Sequence, residues 1–167
     1  MLHPAITRRA SAIQGLGLFA TEFIPKGTVV WTQNEHDARF TVEEFLGLPP
    51  EVQRLCHVYR DGFALAGDGS EVMNHSCDPN CAGPDDDSLI AIRDILPGEE
   101  ITYDYATSEI AGHIFSGWEC RCGAPNCRRV ISAQDCLDPA FQLRYAGFLP
   151  TWTLAYIQNA GRGTEIA

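Results

Sequence analysis

Cys120-Arg121-Cys122, followed after four residues by Cys127, constrains this chain more than any other stretch. Zinc takes four ligands in a tetrahedron, with thiolate bonds near ~2.3 Å. Thiols this closely spaced let one loop supply several of those ligands. Gly123 and Pro125 favour the tight wrapping such a loop needs. The C-x-C-x4-C group supplies three ligands and leaves a fourth position open. Cys77 and Cys81, together in a second short loop, are the two candidates for it. Cys56 falls on an apolar helix face and reads as core, while Cys136 has no assignment.

In a secreted chain, seven cysteines would read as disulfides. Here the N-terminus, Met1-Leu2-His3-Pro4, lacks the charged and then apolar regions of a secretory signal. A cytoplasmic, reducing setting is the expectation, with a secreted effector acting in a host nucleus as the other case. The cysteines then serve metal binding or remain free thiols. No apolar run approaches the roughly 20 residues of a membrane helix, so no membrane partner is expected. The formal net charge is −10, from 12 basic and 22 acidic residues. Nucleic-acid binders usually carry a basic face, so direct nucleic-acid binding is not expected. An acidic surface favours encounter with basic partners.

Turn residues and alternation predict a mainly β domain of many short strands with a few short helices. Extended segments are expected over Ile6 to Ile13, Thr28 to Thr32, Phe63 to Leu65, Leu89 to Ile92 and Ile101 to Tyr105. Pro25-Lys26-Gly27 and Leu96-Pro97-Gly98-Glu99-Glu100 read as turns. Thr41-Val42-Glu43-Glu44 is a capping box that opens a short helix. Pro50 opens a second one, with Val52, Leu55 and Cys56 on one face. Asp85-Asp86-Asp87 reads as a solvated loop tip, and residues 106–137 as loop. Asp138-Pro139 starts a helix to about Ala146, and Pro150 another through Ile157. Asn159 to Ala167 are expected to fray.

Four blocks, in order, resemble the SET-domain protein-lysine methyltransferases. Gly15-Leu16-Gly17-Leu18-Phe19-Ala20 is similar to the N-terminal glycine motif of that family. Asn74-His75-Ser76-Cys77-Asp78-Pro79-Asn80-Cys81 is similar to its central signature, and Gly98 to Tyr105 to its closing motif. Cys120 to Cys127 is similar to the post-SET zinc segment, and the small size resembles compact bacterial members. The resemblance implies a β-clip with knot-like threading of the central and closing motifs. It divides the chain into a SET domain over 1–108, a post-SET zinc segment over 109–130 and a C-terminal helical cap over 131–167.

The same resemblance implies methyl transfer from S-adenosylmethionine to a lysine of a protein substrate, and a bound zinc. It makes Cys77 the fourth zinc ligand beside Cys120, Cys122 and Cys127, which leaves Cys81 spare. It implies cofactor contacts at Leu16, Gly17, Asn74, His75, Tyr105 and Trp118, and catalytic roles for Tyr105 and Tyr103. Alternation puts Tyr103 and Tyr105 on the same side of one strand. In the family, tyrosine at the Tyr103 position restricts the product to mono- or dimethyl-lysine. The implied partner is a basic, lysine-bearing segment: a histone-like, DNA-binding or ribosomal protein.

Two positions depart from the family pattern. Glu71-Val72-Met73 stands where an Arg-Phe pair usually precedes the Asn-His. The upstream Tyr-x-Gly is represented only by Tyr59-Arg60-Asp61-Gly62, so Tyr59 is the one candidate for a second site tyrosine. Two other readings keep the same cysteines. One is a zinc-stabilised interaction module of weak activity. The other is a purely structural zinc protein with redox-sensitive thiols.

Overall fold

Turn residues fix where the first strands begin and end. In the computed structural model, which describes residues 1–110 and 117–162, β1 (Ile6–Ala10) returns through Gly15 into β2 (Leu16–Ala20). Gly15 sits at φ 51°, a backbone that suits glycine, and β1 and β2 pair antiparallel with Ile6 opposite Ala20. Gly27, at φ 88°, closes the first proline turn ahead of β3 (Val29–Thr32). β4 (Ala38–Phe40) leads to α1 (Val42–Leu46) and α2 (Pro50–Gln53). Both halves of the capping box form: Thr41 Oγ1 accepts from Glu44 N at 3.2 Å, and Glu44 Oε2 accepts from Thr41 N at 2.8 Å. α2 is shorter than its apolar pattern suggested. Tight turns at Leu55 and Cys56 carry the chain at once toward β5 (His57–Tyr59), so Leu55 is exposed and only Cys56 is buried.

Next in the chain come β6 (Gly62–Leu65), β7 (Asn74–His75), β8 (Cys81–Ala82), β9 (Ser88–Ala91) and β10 (Glu100–Tyr103). They form three small sheets, ordered β1-β2-β10-β7, β3-β9-β8 and β4-β6-β5. β10 is the junction. It pairs antiparallel with β2 and parallel with β7, which sets Thr102 opposite Asn74 and Tyr103 opposite His75. Leu18, Ile24, Val30, Ile95 and Ile101 fill the core behind this sheet. Phe45 and Phe63 stack at 3.8 Å in a second cluster. β10 ends before Tyr105, contrary to the expected strand over 101–105. The Asp104 side chain accepts from Ala106 N and caps a 3-10 turn over Tyr105–Thr107.

Residues 106–137, expected to be loop, hold more than loop. Besides that turn they contain the short pair β11 (Trp118–Glu119) and β12 (Val130–Ile131), then a 3-10 helix over Ala133–Leu137. Residues 111–116 of that expectation lie outside the described residues. Asp138 caps α3 (Pro139–Arg144) through Ala140 N. α4 (Thr151–Gly161) runs past Ile157 through positions expected to fray, and 163–167 lie outside the described residues. Its start is held from a distance: Asp86 accepts from Thr151 N at 2.7 Å and from Thr151 Oγ1 at 2.6 Å. Asp87 accepts from the Tyr59 hydroxyl at 2.6 Å. Asp85 and Asp87 are exposed, as expected of a solvated loop, and the loop also anchors distant residues. Among the described residues, no helix is long and apolar enough to cross a membrane.

Asn80 joins the central signature to β10. Its Nδ2 donates to Glu100 O at 2.8 Å and its Oδ1 accepts from Thr102 N at 2.9 Å, with the side chain fully buried. Asn80→Ala strands two buried backbone groups, each costing about 1–3 kcal/mol. We expect urea unfolding to show a loss of about 2–5 kcal/mol in this variant.

Candidate active site and metal centre

The central signature enters β7 with two polar side chains turned inward. Asn74 Nδ2 donates to Leu16 O at 3.0 Å, Gln14 O at 3.2 Å and Glu100 Oε1 at 2.7 Å. The glycine motif, the central signature and the closing motif thus meet at one amide. Gly17 is explained by the same contact, since a Cβ there would collide with the Glu100 carboxylate and crowd Asn74 Nδ2. Glu100 also accepts from the Ser11 hydroxyl.

His75 is buried, and its Nδ1 accepts from Tyr105 N at 3.1 Å. Burial holds its pKa down near about 4 against the pull of Asp104, so the ring is neutral. With Nδ1 accepting, the single ring proton belongs on Nε2, which lies 3.3 Å from Cys77 Sγ. His75 therefore donates to that sulfur, an outer-shell role, rather than offering a lone pair to a metal.

Four of the seven thiols gather beside it. Cys77 Sγ lies 3.8 Å from Cys120 Sγ, and the atoms of His75, Cys77, Cys120 and Cys122 fall within 4.8 Å of one another. Cys120 and Cys122 each also interact with the Cys127 thiol. A tetrahedron with ~2.3 Å thiolate bonds has edges of about 3.8 Å, so the spacing suits zinc. Backbone amides point at the sulfurs: Arg128 N at Cys77, Cys77 N at Cys122, Arg129 N at Cys127, at 3.4–3.5 Å. Such donors favour thiolates. For Cys122, burial is outweighed by the Cys77 and Ala124 amides, and the pKa falls to about 7. Cys77, Cys120 and Cys122, with His75, are the residues whose donor atoms meet closely enough for a metal; Cys127, the fourth expected thiolate, stands outside that group but reaches Cys120 and Cys122. Cys81 lies in the main core with its pKa pushed by burial to about 12, and Cys56 is buried beside Phe45. Cys136, unassigned from sequence, is buried under α3 and donates to Ala133 O.

A cavity of about 920 Å³ borders this cluster, which shares His75 and Cys120 with it. Leu16, Asn74, His75, Tyr103, Tyr105, Trp118 and Cys120 line it, and Tyr59 does too; Gly17, Cys77, Cys122 and Cys127 do not. Tyr103 and Tyr105 meet at 4.9 Å, and Tyr105 meets Trp118 edge-on at 5.7 Å. The Tyr105 hydroxyl donates to Met73 O at 2.7 Å. Burial raises both tyrosine pKa values, so both hydroxyls stay neutral at ordinary pH. Glu109, which sequence reasoning missed, sits in the wall and accepts from the Tyr103 hydroxyl at 3.1 Å. Burial pushes its pKa up to about 7, opposed by hydrogen bonds from Val58 N and the Tyr103 and Ser108 hydroxyls. Glu71, Asp85, Asp86 and Glu119 also line the cavity, against Arg54 and Arg121, so its wall favours cations.

Comparison with known proteins agrees with this geometry. The SET domain family matches residues 15–106. Histone-lysine N-methyltransferase trr of Drosophila melanogaster is 36% identical over 73% of this chain, which covers 6% of the fly protein. Histone-lysine N-methyltransferase 2B of Homo sapiens is 32% identical over 73% of this chain, covering 5% of that protein. The chain thus spans only a small fraction of these curated relatives. The crystal structure of KRYPTONITE in complex with mCHG DNA and SAH superposes with a TM-score of 0.58 at 26% identity, covering 77% of this chain and 29% of that one. With a family match across more than half its length, and the glycine, central and closing motifs joined at Asn74, this chain belongs to the SET domain family.

Proposed function

We propose that this chain transfers a methyl group from S-adenosylmethionine to a lysine in a basic, histone-like protein segment. The observation that carries this reading is the convergence of Tyr103, Tyr105 and Trp118 with Asn74 and His75 in one acid-walled cavity. The relatives' names and the SAH in the KRYPTONITE complex support it. When bound, the sulfonium cofactor supplies an electrophilic methyl group. The chain's own task is to present a neutral, aligned amine. A free lysine amine has a pKa near ~10.4, and a dry cavity lowers it by removing water from the charged form. Neutral tyrosines suit that cavity. Their rings exclude water, and their oxygens keep lone pairs for N–H and C–H contacts. The acidic wall draws in a basic tail.

Within this reading zinc is held by Cys77, Cys120, Cys122 and Cys127. Cys77 lies two residues from His75, so the metal pins the post-SET loop beside the cavity that Trp118 and Cys120 line. Four cysteines given to zinc and three reduced in the core suit the cytoplasmic, reducing setting we assign to this chain.

The reading is tested at the substrate, at Tyr103 and at the metal. Core histones incubated with methyl-labelled S-adenosylmethionine should take label on lysine; a chain that fails to bind the cofactor by titration calorimetry defeats the proposal. Tyr103→Phe removes the hydroxyl that borders the amine space, and mass spectrometry should then show a shift from mono- and dimethyl- toward trimethyl-lysine. Purified protein should hold about one zinc per chain. Chelation should lower the thermal midpoint by about 10 °C or more and abolish cofactor binding. A Cys122→Ser variant that stays folded, zinc-free and fully active would contradict the role given to the metal.

A further inference from the structure

Glu109 is a buried acid in the cavity wall without a cationic partner. Its Oε1 accepts from the Tyr103 hydroxyl at 3.1 Å and the Ser108 hydroxyl at 3.2 Å, and its Oε2 accepts from Val58 N at 2.8 Å. Three donors aimed at one carboxyl group stabilise an anion there. Among the described residues, no Lys, Arg or His side chain pairs with it. Buried charges are ordinarily paired, so the missing partner is a cation brought from outside. The segment is firmly held. Trp152 Nε1 donates to Ser108 O at 2.9 Å, and Thr153 Oγ1 donates to Thr107 O at 2.8 Å. A carboxylate has room for about four hydrogen bonds, so a fourth donor can still be taken.

We infer that Glu109 is a catalytic residue: its carboxylate binds the ε-ammonium of the substrate lysine and accepts the proton that must leave before methyl transfer. This rests on the lysine-methyltransferase reading. In the step, one N–H bond of the ammonium breaks and an O–H bond to Glu109 forms. The electron pair stays on nitrogen, leaving a neutral amine, and the acid gives its proton to water after product departs. Tyr103 belongs to the same device. Its hydroxyl proton is committed to Glu109, so its oxygen faces the amine as an acceptor. The titratable groups facing Glu109 are Tyr103 and Tyr105, and both stay neutral over the working range. A carboxyl titrating at about 7 is matched to that task.

The test compares wild type with Glu109→Gln on core histones and labelled S-adenosylmethionine across pH. Wild-type rate should climb through about pH 7 and level off above about pH 8. Glu109→Gln should lose on the order of 10²-fold near neutrality and recover steadily as pH rises, because water must then take the proton. A Gln variant with wild-type rate and pH profile overturns the inference, as does a wild-type rate still rising tenfold per unit above about pH 9. A second arm needs no turnover. A histone H3 tail peptide and its analogues, with each lysine replaced in turn by norleucine, are bound to wild type and to Glu109→Gln. Wild type should prefer lysine at one position by about tenfold, and the variant should not. Equal wild-type affinity for every analogue sinks the ammonium site. A preference without any label transfer defeats the methyltransferase reading and leaves the ammonium site standing. If Glu109→Gln does not fold, the wild-type pH profile and peptide preference decide.

Discussion

The Asp104 carboxylate has no exposed surface and is surrounded by donors. Arg128 grips it with two nitrogens, at 2.6 and 2.7 Å, and the Tyr145 hydroxyl donates at 2.9 Å. Ala106 N donates from its own turn. An anion so deep is tolerable only with such company; removing one partner of a buried pair typically costs about 3–5 kcal/mol. Each partner comes from a different region. Tyr145 follows α3, Arg128 follows the last cysteine of the zinc loop, and Ala106 lies in the closing motif's own turn. The closing motif, the metal centre and the C-terminal helices are therefore held in one register by a single side chain.

A second line of contacts runs parallel to it. Cys77 O accepts from Asn126 Nδ2 at 3.0 Å and from Arg144 at 2.9 Å, and Arg144 also reaches Asp78. Arg128 interacts with Asp135 and lies over the Phe141 ring. The thiol loop does not depend on metal alone for its position. Ile131, Cys136, Phe141 and Tyr145 bury it from behind, in the cluster that includes Cys77 and Cys120.

Much of this was legible in the sequence where the signal is local. The capping box, the proline turns, the Asp138 cap and the mainly β character follow from neighbouring residues. The cysteine spacing pointed to a shared loop, and the order of four motifs pointed to the family. What escaped was chemistry created by distant partners. Strand alternation put Tyr103 and Tyr105 on one face, but the Asp104 cap ends the strand between them and a turn brings their rings together instead. Asp85 and Asp87 are as solvated as they read, but nothing nearby in the chain reveals that Thr151 and Tyr59 use Asp86 and Asp87. Gly17 was assigned to cofactor approach; that the Glu100 carboxylate and Asn74 amide also crowd its missing Cβ could not be read from the sequence. Glu109 carries no pattern at all. A lone acid after a tyrosine motif looks like surface until the fold closes around it.

Trp152 and Thr153, in the first turn of α4, hold the carbonyls of Ser108 and Thr107 that set the cavity wall. Leu16, far earlier in the chain, lines the same cavity. Synthesis delivers these pieces at opposite ends of a long interval, and contacts of such separation form late in folding. A nascent chain can build the β1–β2 hairpin early, but it has no pocket until α4 has emerged. A chain cut short before Trp152 would lack the contacts that hold this wall.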